Sequence, residues 1–251
     1  MSYKLKTNIA NKNNYGGKRA TSTIKWIVIH YTANDGDHDE ANANYFKNNI
    51  VNASAHYFVD DDSVTQSVPD AYVAWSVGGN KYPNCSSTGG GKYYNQCTNS
   101  NSISIELCDV NRNGTIYPSD KTIANAIELT KKLMKKYNIS ASKVIRHFDV
   151  TGKSCPAYWC GTDAKNKKWK TAFHNKLTTA GKTNTTTKKV TGYKVKVTAT
   201  TLNVRAGAGT SYKVNTTLKK GKVCIIVEEK NGWGKLKSGK GWISLKYTTK
   251  C

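Results

Sequence analysis

The chain has 251 residues, of which 37% are hydrophobic and 22% charged, a composition that supports packed cores and excludes a wholly disordered protein. Its net charge of +23 comes from 39 basic and 16 acidic residues, and only four of the basic residues are arginine. Charge alone does not choose among wall polymers, membranes and nucleic acids as polyanionic partners. Because arginine is scarce and no nucleic-acid recognition motif is present, we expect no nucleic-acid partner.

The sequence shows no membrane-spanning segment, because no run approaches the ~20 apolar residues that such a helix needs. The first residues, Met1 to Lys6, lack the apolar stretch of a signal peptide, which predicts synthesis in the cytoplasm. Action outside the cytoplasm would then require release by a holin-type lesion or by lysis. Cytoplasmic synthesis favours reduced thiols for most of the seven cysteines. A disulfide between Cys85 and Cys97, which flank a glycine-rich loop, stays an open alternative.

The first predicted elements are strands and one helix, followed by a long loop. The β-branched run at 26–30 indicates a buried strand, and residues 39–49, acidic at the start and apolar within, predict a helix. Residues 57–59 and 64–68 predict two strands joined by a turn. Residues 78–101 are rich in Gly, Asn, Ser and Tyr and predict a long loop, and loops of this length are often functional.

The next strand, at 102–108, alternates cleanly. Its isoleucines and Leu107 share one face, whereas Ser104, Glu106 and Cys108 share the other. A helix is predicted to begin at a cap on Ser119 or Asp120 and to continue to Tyr137. A last helix is indicated by three apolar residues at four-residue intervals, Trp169, Phe173 and Leu177.

The composition changes after residue 177. Residues 178–192 are almost free of apolar side chains and predict a flexible linker. Residues 193–251 contain short β-rich runs between glycine turns, without a helical period, and predict a small all-β barrel. We therefore expect an α/β domain at 1–177, a linker at 178–192 and an all-β domain at 193–251. Nothing in the sequence indicates an oligomer, and we assume a monomer.

Two histidines and one cysteine form a candidate metal site in the first domain. His30 ends the strand IVIH, His147 lies in IRHFD, and Cys155 follows in GKSCP. Imidazole and thiolate suit Zn²⁺, and three protein ligands leave the open position of a catalytic zinc site. Each residue also has a structural interpretation, as a hydrogen-bonded histidine at a strand end or as a buried cysteine acting as a small apolar residue.

A carboxylate and a lysine accompany this candidate site. Glu106 lies on the strand face opposite the isoleucines, and His30 alternates in the same way. One face of the sheet is therefore expected to present a metal ligand and a carboxylate together. Lys153 precedes Cys155 by two residues, so both side chains point the same way in an extended segment. The alternatives are a water-facing edge-strand glutamate and an ordinary surface lysine.

Five segments, in chain order, carry a resemblance to a known family: IVIHYT, SAHYFVDDDSVTQSVP, AWSVGG, NSISIEL and IRHFDVTGKSCP. Together they resemble the type-2 N-acetylmuramoyl-L-alanine amidases, which include phage endolysins, bacterial autolysins and animal peptidoglycan recognition proteins. The resemblance spans roughly residues 26–159 and implies a mixed α/β sheet with helices packed on it. It implies Zn²⁺ as cofactor, with His30, His147 and Cys155 as ligands. It also implies that Glu106 activates the attacking water and that Lys153 polarises the amide.

The resemblance defines two further residues less closely. Some family members carry a tyrosine at the position of His56 and lack the strand glutamate. Because Glu106 is present, His56 is expected to contact substrate in the groove, and a catalytic role for it stays open. Trp75 is expected to line the groove, with a core tryptophan as the alternative.

The C-terminal region contains TLNVRAGAGT, which resembles the signature of bacterial SH3 domains and implies a barrel that holds an enzyme on the cell wall. The two resemblances together imply a peptidoglycan hydrolase that cuts between the lactyl group of N-acetylmuramic acid and L-alanine. Its implied partners are the stem peptide, muramic acid and the wall. A phage endolysin and a prophage-derived autolysin both fit. The rival interpretation is a wall-binding protein without activity, and the presence of all five site residues argues against it.

Overall fold

The computed structural model describes residues 3–178, 188–210, 212–230 and 232–251. The chain divides into two compact units, Met1–Gly181 and Lys182–Cys251. Residues 179–187 of the predicted linker lie outside the described residues. Among the residues that are described, no helix has the length and apolar character needed to cross a bilayer.

The strands of the first unit form two sheets. In chain order they are β1 (Lys4–Thr7), β2 (Tyr15–Lys18), β3 (Trp26–Tyr31), β4 (Tyr57–Val59), β5 (Ser63–Gln66), β6 (Tyr72–Ala74), β7 (Ser102–Leu107) and β8 (Val144–Arg146). Six of them form the central sheet in the order β1-β5-β4-β7-β3-β8, and β2 pairs with β6. Only the β4–β5 pair of the central sheet is antiparallel within the described part of the chain. The prediction of a mixed sheet is confirmed.

The helices of the first unit are α1 (Asp39–Asn48), α2 (Cys85–Thr88), α3 (Asp120–Tyr137), α4 (His147–Thr151), α5 (Asp163–Trp169) and α6 (Asn175–Thr178). The helix α3 begins where the sequence predicts, because the Ser119 side chain accepts a hydrogen bond from the Thr122 backbone N–H. It ends at Asn138, which adopts the left-handed conformation with φ 52°. A π-helical turn at Lys170–His174 joins α5 to α6, so the predicted last helix is continuous but locally widened.

The isoleucine face of the central sheet packs against the helices. Its wholly buried residues are Ile27, Ile29, Ile103 and Ile105. They lie in one cluster with Ile123, Ala126, Leu129 and Leu133 of α3 and with Trp169 and Phe173 of the last helical segment. Each buried isoleucine contributes about 1.5–3 kcal/mol relative to an exposed one. This packing confirms the predicted alternation along β7 and leaves Glu106 on the opposite face.

The segment predicted as a long loop is anchored on α4. The backbone N–H groups of Tyr82, Gly91 and Tyr93 donate to carbonyls of Thr151, Phe148 and Asp149 at 2.7, 2.9 and 2.8 Å. Gly152 has a positive φ of 88°, and a Cβ there would collide with the Cys85 sulfur.

This packing excludes the alternative of a disulfide between Cys85 and Cys97. Cys85 and Cys97 are both buried free thiols. Cys85 lies against Gly152, whereas Cys97 belongs to the cluster around Trp26. The two cysteines therefore serve as separate packing residues and do not form a bridge.

The second unit is all-β, as predicted. Its strands are β9 (Lys188–Val197), β10 (Thr201–Arg205), β11 (Val214–Lys219), β12 (Val223–Lys230), β13 (Trp233–Leu236), β14 (Trp242–Ser244) and β15 (Thr248–Lys250). They form one antiparallel sheet in the order β11-β10-β14-β13-β12-β9-β15, around a core that includes Val204, Ile226 and Ile243. The strand β9 begins at Lys188, inside the range predicted as linker, because its register with β12 continues to the Lys188–Glu229 pair.

Candidate active site

The pairing of β3 with β7 brings a histidine and a carboxylate together. The two strands are parallel neighbours, and their register places His30 beside Glu106. Both side chains leave the sheet on the face opposite the isoleucines, and His30 Nδ1 lies 3.8 Å from Glu106 Oε1. His30 is buried, whereas the Glu106 side chain keeps 19% of its surface exposed. Glu106 therefore has access to a molecule bound above the sheet.

His147 and Cys155 follow β8, the strand that pairs with β3 on the edge opposite β7. The short strand β8 pairs with β3, and His147 is the first residue of α4 immediately after it. The backbone N–H of Phe148 donates to the Cys155 carbonyl at 2.9 Å and folds the chain back over α4. Cys155 Sγ thereby lies 3.7 Å from His30 Nδ1. The potential ligand atoms of His30, His147 and Cys155 all lie within 4.8 Å of one another.

Arg146 holds this arrangement in place, a role that the sequence analysis missed. Its guanidinium donates to both carboxylate oxygens of Asp149, at 3.0 and 2.7 Å, across the first turn of α4. A further nitrogen donates to Asn166 Oδ1 at 2.7 Å and to the Trp159 carbonyl. The available signal was one of only four arginines, standing three residues before an aspartate and next to a candidate ligand.

Burial and nearby positive charge keep the two histidines of the cluster neutral. Burial, with the nearby charges of His147 and Lys153, holds the pKa of His30 well below its usual range. Burial and Lys153 lower the pKa of His147 to about 4. Both imidazoles are therefore uncharged at neutral pH, which is the form that binds a metal ion. Burial raises the pKa of the Cys155 thiol, and Glu106 raises it further.

The carboxylate beside them is also perturbed. Burial raises the pKa of Glu106 to about 8, against the opposing effect of the positive charge on Lys153. The buried atoms His30 Nε2, His147 Nδ1 and Glu106 Oε2 have no hydrogen-bond partner among the described residues. Unsatisfied buried donors and acceptors are costly, so these atoms indicate a site that is completed by a ligand or a metal ion.

Two adjoining cavities form a groove over the cluster. One, of about 720 Å³, is lined by His30, Glu106 and Cys155 among others. The second, of about 620 Å³, is bounded by the segment 78–83 of the anchored loop. They share four lining residues: Trp75, Ser76, His147 and Lys153. The structure thus places Trp75 in the wall of the groove and the exposed Lys153 at the junction of its two halves.

His56 does not lie where it was expected. Its side chain is wholly buried beneath the groove and lines neither cavity, which corrects the prediction that it contacts substrate. The physical reason is a hydrogen bond from the Ser104 backbone N–H to His56 Nδ1, at 3.1 Å, which draws the ring against β7. Burial, with the charge on Arg19, also lowers the pKa of His56 to about 3, so the ring is neutral.

Comparison with known families and proteins agrees with this geometry. Residues 20–158 match the family described as N-acetylmuramoyl-L-alanine amidase, and residues 200–249 match the bacterial SH3 domain. A probable N-acetylmuramoyl-L-alanine amidase of Bacillus licheniformis is 35% identical over 142 residues, which are 55% of this chain and 38% of that protein. The matched stretch therefore spans well under half the length of that relative.

Two solved structures are similar to the first unit. The catalytic domain of XlyA is 29% identical, with a TM-score of 0.52, and the match covers 69% of this chain and 99% of that one. A mutant endolysin from Bacillus subtilis is also 29% identical, with a TM-score of 0.53, and the match covers 70% of this chain and 99% of the other.

Proposed function

The chain belongs to the N-acetylmuramoyl-L-alanine amidase family, and on that premise we propose that it is a zinc-dependent peptidoglycan amidase. The bond cleaved joins the lactyl carbonyl of N-acetylmuramic acid to the L-alanine of the stem peptide. The observation that carries the proposal is the convergence of His30, His147 and Cys155 within 4.8 Å, beside Glu106, in the wall of one cavity, with His147 also lining the adjoining cavity. A site between two cavities suits a substrate with a glycan on one side and a peptide on the other.

The donor set fits Zn²⁺. Two neutral imidazoles and one cysteine, which binds a metal ion as the thiolate, supply nitrogen and sulfur ligands, and His147 Nδ1 has no hydrogen-bond partner among the described residues. We assign His30, His147 and Cys155 as the residues that hold the ion. Bound there, Zn²⁺ would lower the pKa of water and polarise the carbonyl of the scissile amide.

Glu106 is the proposed general base. It takes a proton from the attacking water and then delivers it to the leaving amine of L-alanine. Burial raises its pKa to about 8 in the metal-free site, and a zinc ion held by the adjacent ligands would lower that pKa and keep the carboxylate ionised to accept a proton. Its partial exposure beside His30 places the carboxylate within reach of the groove.

Lys153 is proposed to orient the amide carbonyl and to stabilise negative charge that develops on its oxygen. It lies at the junction of the two cavities, next to the ligand segment. Its backbone is fixed on both sides, since its N–H donates to Thr151 Oγ1 at 3.3 Å and its carbonyl accepts from the Cys155 N–H at 2.7 Å.

We further infer a role in bacterial wall lysis, as a phage endolysin or a prophage-derived autolysin. The similarity of the first unit to a solved endolysin supports this role. The SH3-like unit is proposed to bind the cell wall, and the cytoplasm to be the place of synthesis before release. The proposed domain plan is a catalytic domain at 1–177, a linker that begins at 178 and a wall-binding domain at 193–251, with β9 extending this last domain back to Lys188.

The cleaved bond is tested by mass spectrometry of digested walls. We expect free stem peptides that begin with alanine, and glycan strands that keep the lactyl group. New reducing sugar ends or cleaved cross-bridges, without such peptides, would contradict the proposal. Wall binding with no released product would favour the rival of a binding protein without activity.

Removal of the second unit is expected to affect intact walls more than soluble fragments. A shortened chain ending at Gly181 should cleave soluble muramyl peptides within about twofold of the full-length rate, because a tethered binding unit adds local concentration without new contacts at the bond. On intact walls at low enzyme concentration its rate should fall well below that of the full chain. Equal loss on both substrates, with fold and zinc retained, would show that the second unit takes part in the site.

A further inference from the structure

A closed ring of close polar contacts lies beneath the groove and joins four separate segments of the chain. Its members are Arg19, His56, Ser76, Asn99 and Ser104. Two of them, His56 and Ser104, are wholly buried. Ser76 and Asn99 line the cavity beside the metal-ligand cluster, and Ser104 belongs to the strand that carries Glu106. The ring thus connects the strand that carries Glu106 to the residues that line the groove.

The hydrogen-bonding state of His56 follows from its partners. The Ser104 backbone N–H can only donate, so His56 Nδ1, 3.1 Å away, is the acceptor and carries no proton. The proton is therefore on Nε2, which donates to the Tyr72 carbonyl at 3.2 Å. Arg19 Nη2 lies 2.9 Å from the same Nε2, but both nitrogens are donors in this tautomer, so this close polar contact is not a hydrogen bond.

The remaining contacts close the ring. Arg19 Nη1 donates to the Asn99 carbonyl at 3.0 Å. The Asn99 side-chain oxygen accepts from the backbone N–H groups of Ser76 and Val77, at 3.0 and 2.8 Å. The Ser76 hydroxyl contacts the Ser104 hydroxyl, which returns the chain of contacts to β7.

His56 lies where the sheet offers no backbone acceptor to the Ser104 N–H. The β4–β7 pairing begins at Tyr57 and Ile105, one residue beyond His56 and Ser104. The His56 carbonyl already accepts from the Ser67 N–H at 2.9 Å, on the β5 side. The imidazole therefore supplies the acceptor that the ladder does not offer to the Ser104 N–H. Without it, a buried backbone donor would be left unsatisfied.

We propose that His56 is a positioning residue that acts through β7 on Glu106. Ser104 precedes Glu106 by two residues on the same face of the strand, so the bond that fixes Ser104 also fixes the direction of the Glu106 carboxylate. The contact between the Ser104 and Ser76 hydroxyls carries the same constraint to the wall of the groove. This inference rests on the proposed base role of Glu106.

Two substitutions separate the two edges of the imidazole. Asparagine places its carbonyl oxygen near the position of Nδ1 and keeps an acceptor for Ser104, whereas glutamine reaches the position of Nε2 and leaves the Ser104 N–H without a partner. In the full-length zinc-loaded protein, His56→Gln should lower kcat by about 10-fold or more with KM within about twofold, since small displacements of a catalytic group are costly. His56→Asn should recover most of that loss.

A double-substitution cycle distinguishes positioning from general destabilisation. If His56 acts through Glu106, then adding His56→Gln to Glu106→Gln should lower kcat no further. Ser104→Ala keeps the hydrogen bond from the residue 104 N–H to His56 but removes the hydroxyl contact with Ser76. It is a milder second variant, and its loss in kcat should also disappear when Glu106→Gln is present. His174→Gln is the control, because among the described residues that histidine contacts the Ala141 carbonyl and the Trp169 ring, neither of which belongs to the ring of polar contacts.

The outcomes are separable. The positioning role is overturned if the losses in kcat caused by His56→Gln and by Glu106→Gln multiply in the double variant. It is also overturned if His56→Gln keeps the wild-type kcat. Both results leave the amidase proposal intact. If the His56→Gln protein unfolds below the assay temperature, the double-substitution cycle is measured with Ser104→Ala and with His56→Asn. Losses in kcat that multiply with the loss caused by Glu106→Gln, in both of these variants, overturn the proposal. A fully active Glu106→Gln overturns the base assignment and the positioning role together.

Discussion

Replacement of Glu106 by glutamine is expected to lower kcat by ~10²-fold or more while the protein keeps its zinc. The substitution preserves the shape and hydrogen-bonding capacity of the side chain but removes its ability to accept a proton. The three proposed ligands, His30, His147 and Cys155, are unchanged, so metal content should stay at about one ion per chain. KM should change little, because the lost interaction belongs to the transition state.

The measurement is kcat and KM on a soluble muramyl peptide, with metal content determined on the same sample. Glu40→Gln is the matched control, because that side chain is exposed on α1 and pairs only with Lys6 among the described residues. Near wild-type activity in Glu106→Gln would show that the base is elsewhere. His56 is not a ready substitute, since it is buried, neutral and bonded at both ring nitrogens.

Replacement of Cys155 by serine is expected to abolish metal retention and, with it, activity. The wild-type protein should carry about one Zn²⁺ per chain, and the thiolate is the ligand that best suits that ion in this set. Serine removes the sulfur while leaving the backbone turn at α4 in place. Bound zinc after dialysis should fall to a small fraction of the wild-type value, and kcat/KM by ~10²-fold or more, as removal of a catalytic metal requires.

Elemental analysis after dialysis and activity with added Zn²⁺ check this expectation. Cys251→Ser makes the same chemical change at an exposed thiol of the second unit and should keep both zinc and activity. Full zinc occupancy with full activity in Cys155→Ser would show that the ligand set is wrong. Activity restored by high Zn²⁺ would instead fit a weakened site that still has His30 and His147.

Local features of the first unit could be predicted from the sequence. The alternation along β7 follows from a period of two, and the start of α3 follows from the Ser119 cap. The strands β1 and β8 were missed, because three or four residues do not establish a period and neither strand has the intervening turn that marks β4 and β5. The role of Arg146 was missed as well, because the scarcity of arginine and the aspartate three residues later do not reveal the partners that Arg146 finds in Trp159 and Asn166.

By itself, the sequence determined the residue types of the site, the resemblance to a family and the direction in which Glu106 leaves its strand. These depend on chemistry and on spacing along a few residues. Only the tertiary structure decided that His30 and Cys155, 125 positions apart, come within 3.7 Å, because that distance depends on the pairing of β3 with β8 and on the turn after α4. It also decided the place of His56. A histidine in an apolar segment can face a groove or a core, and here the unpaired Ser104 N–H, 48 residues away, draws it into the core.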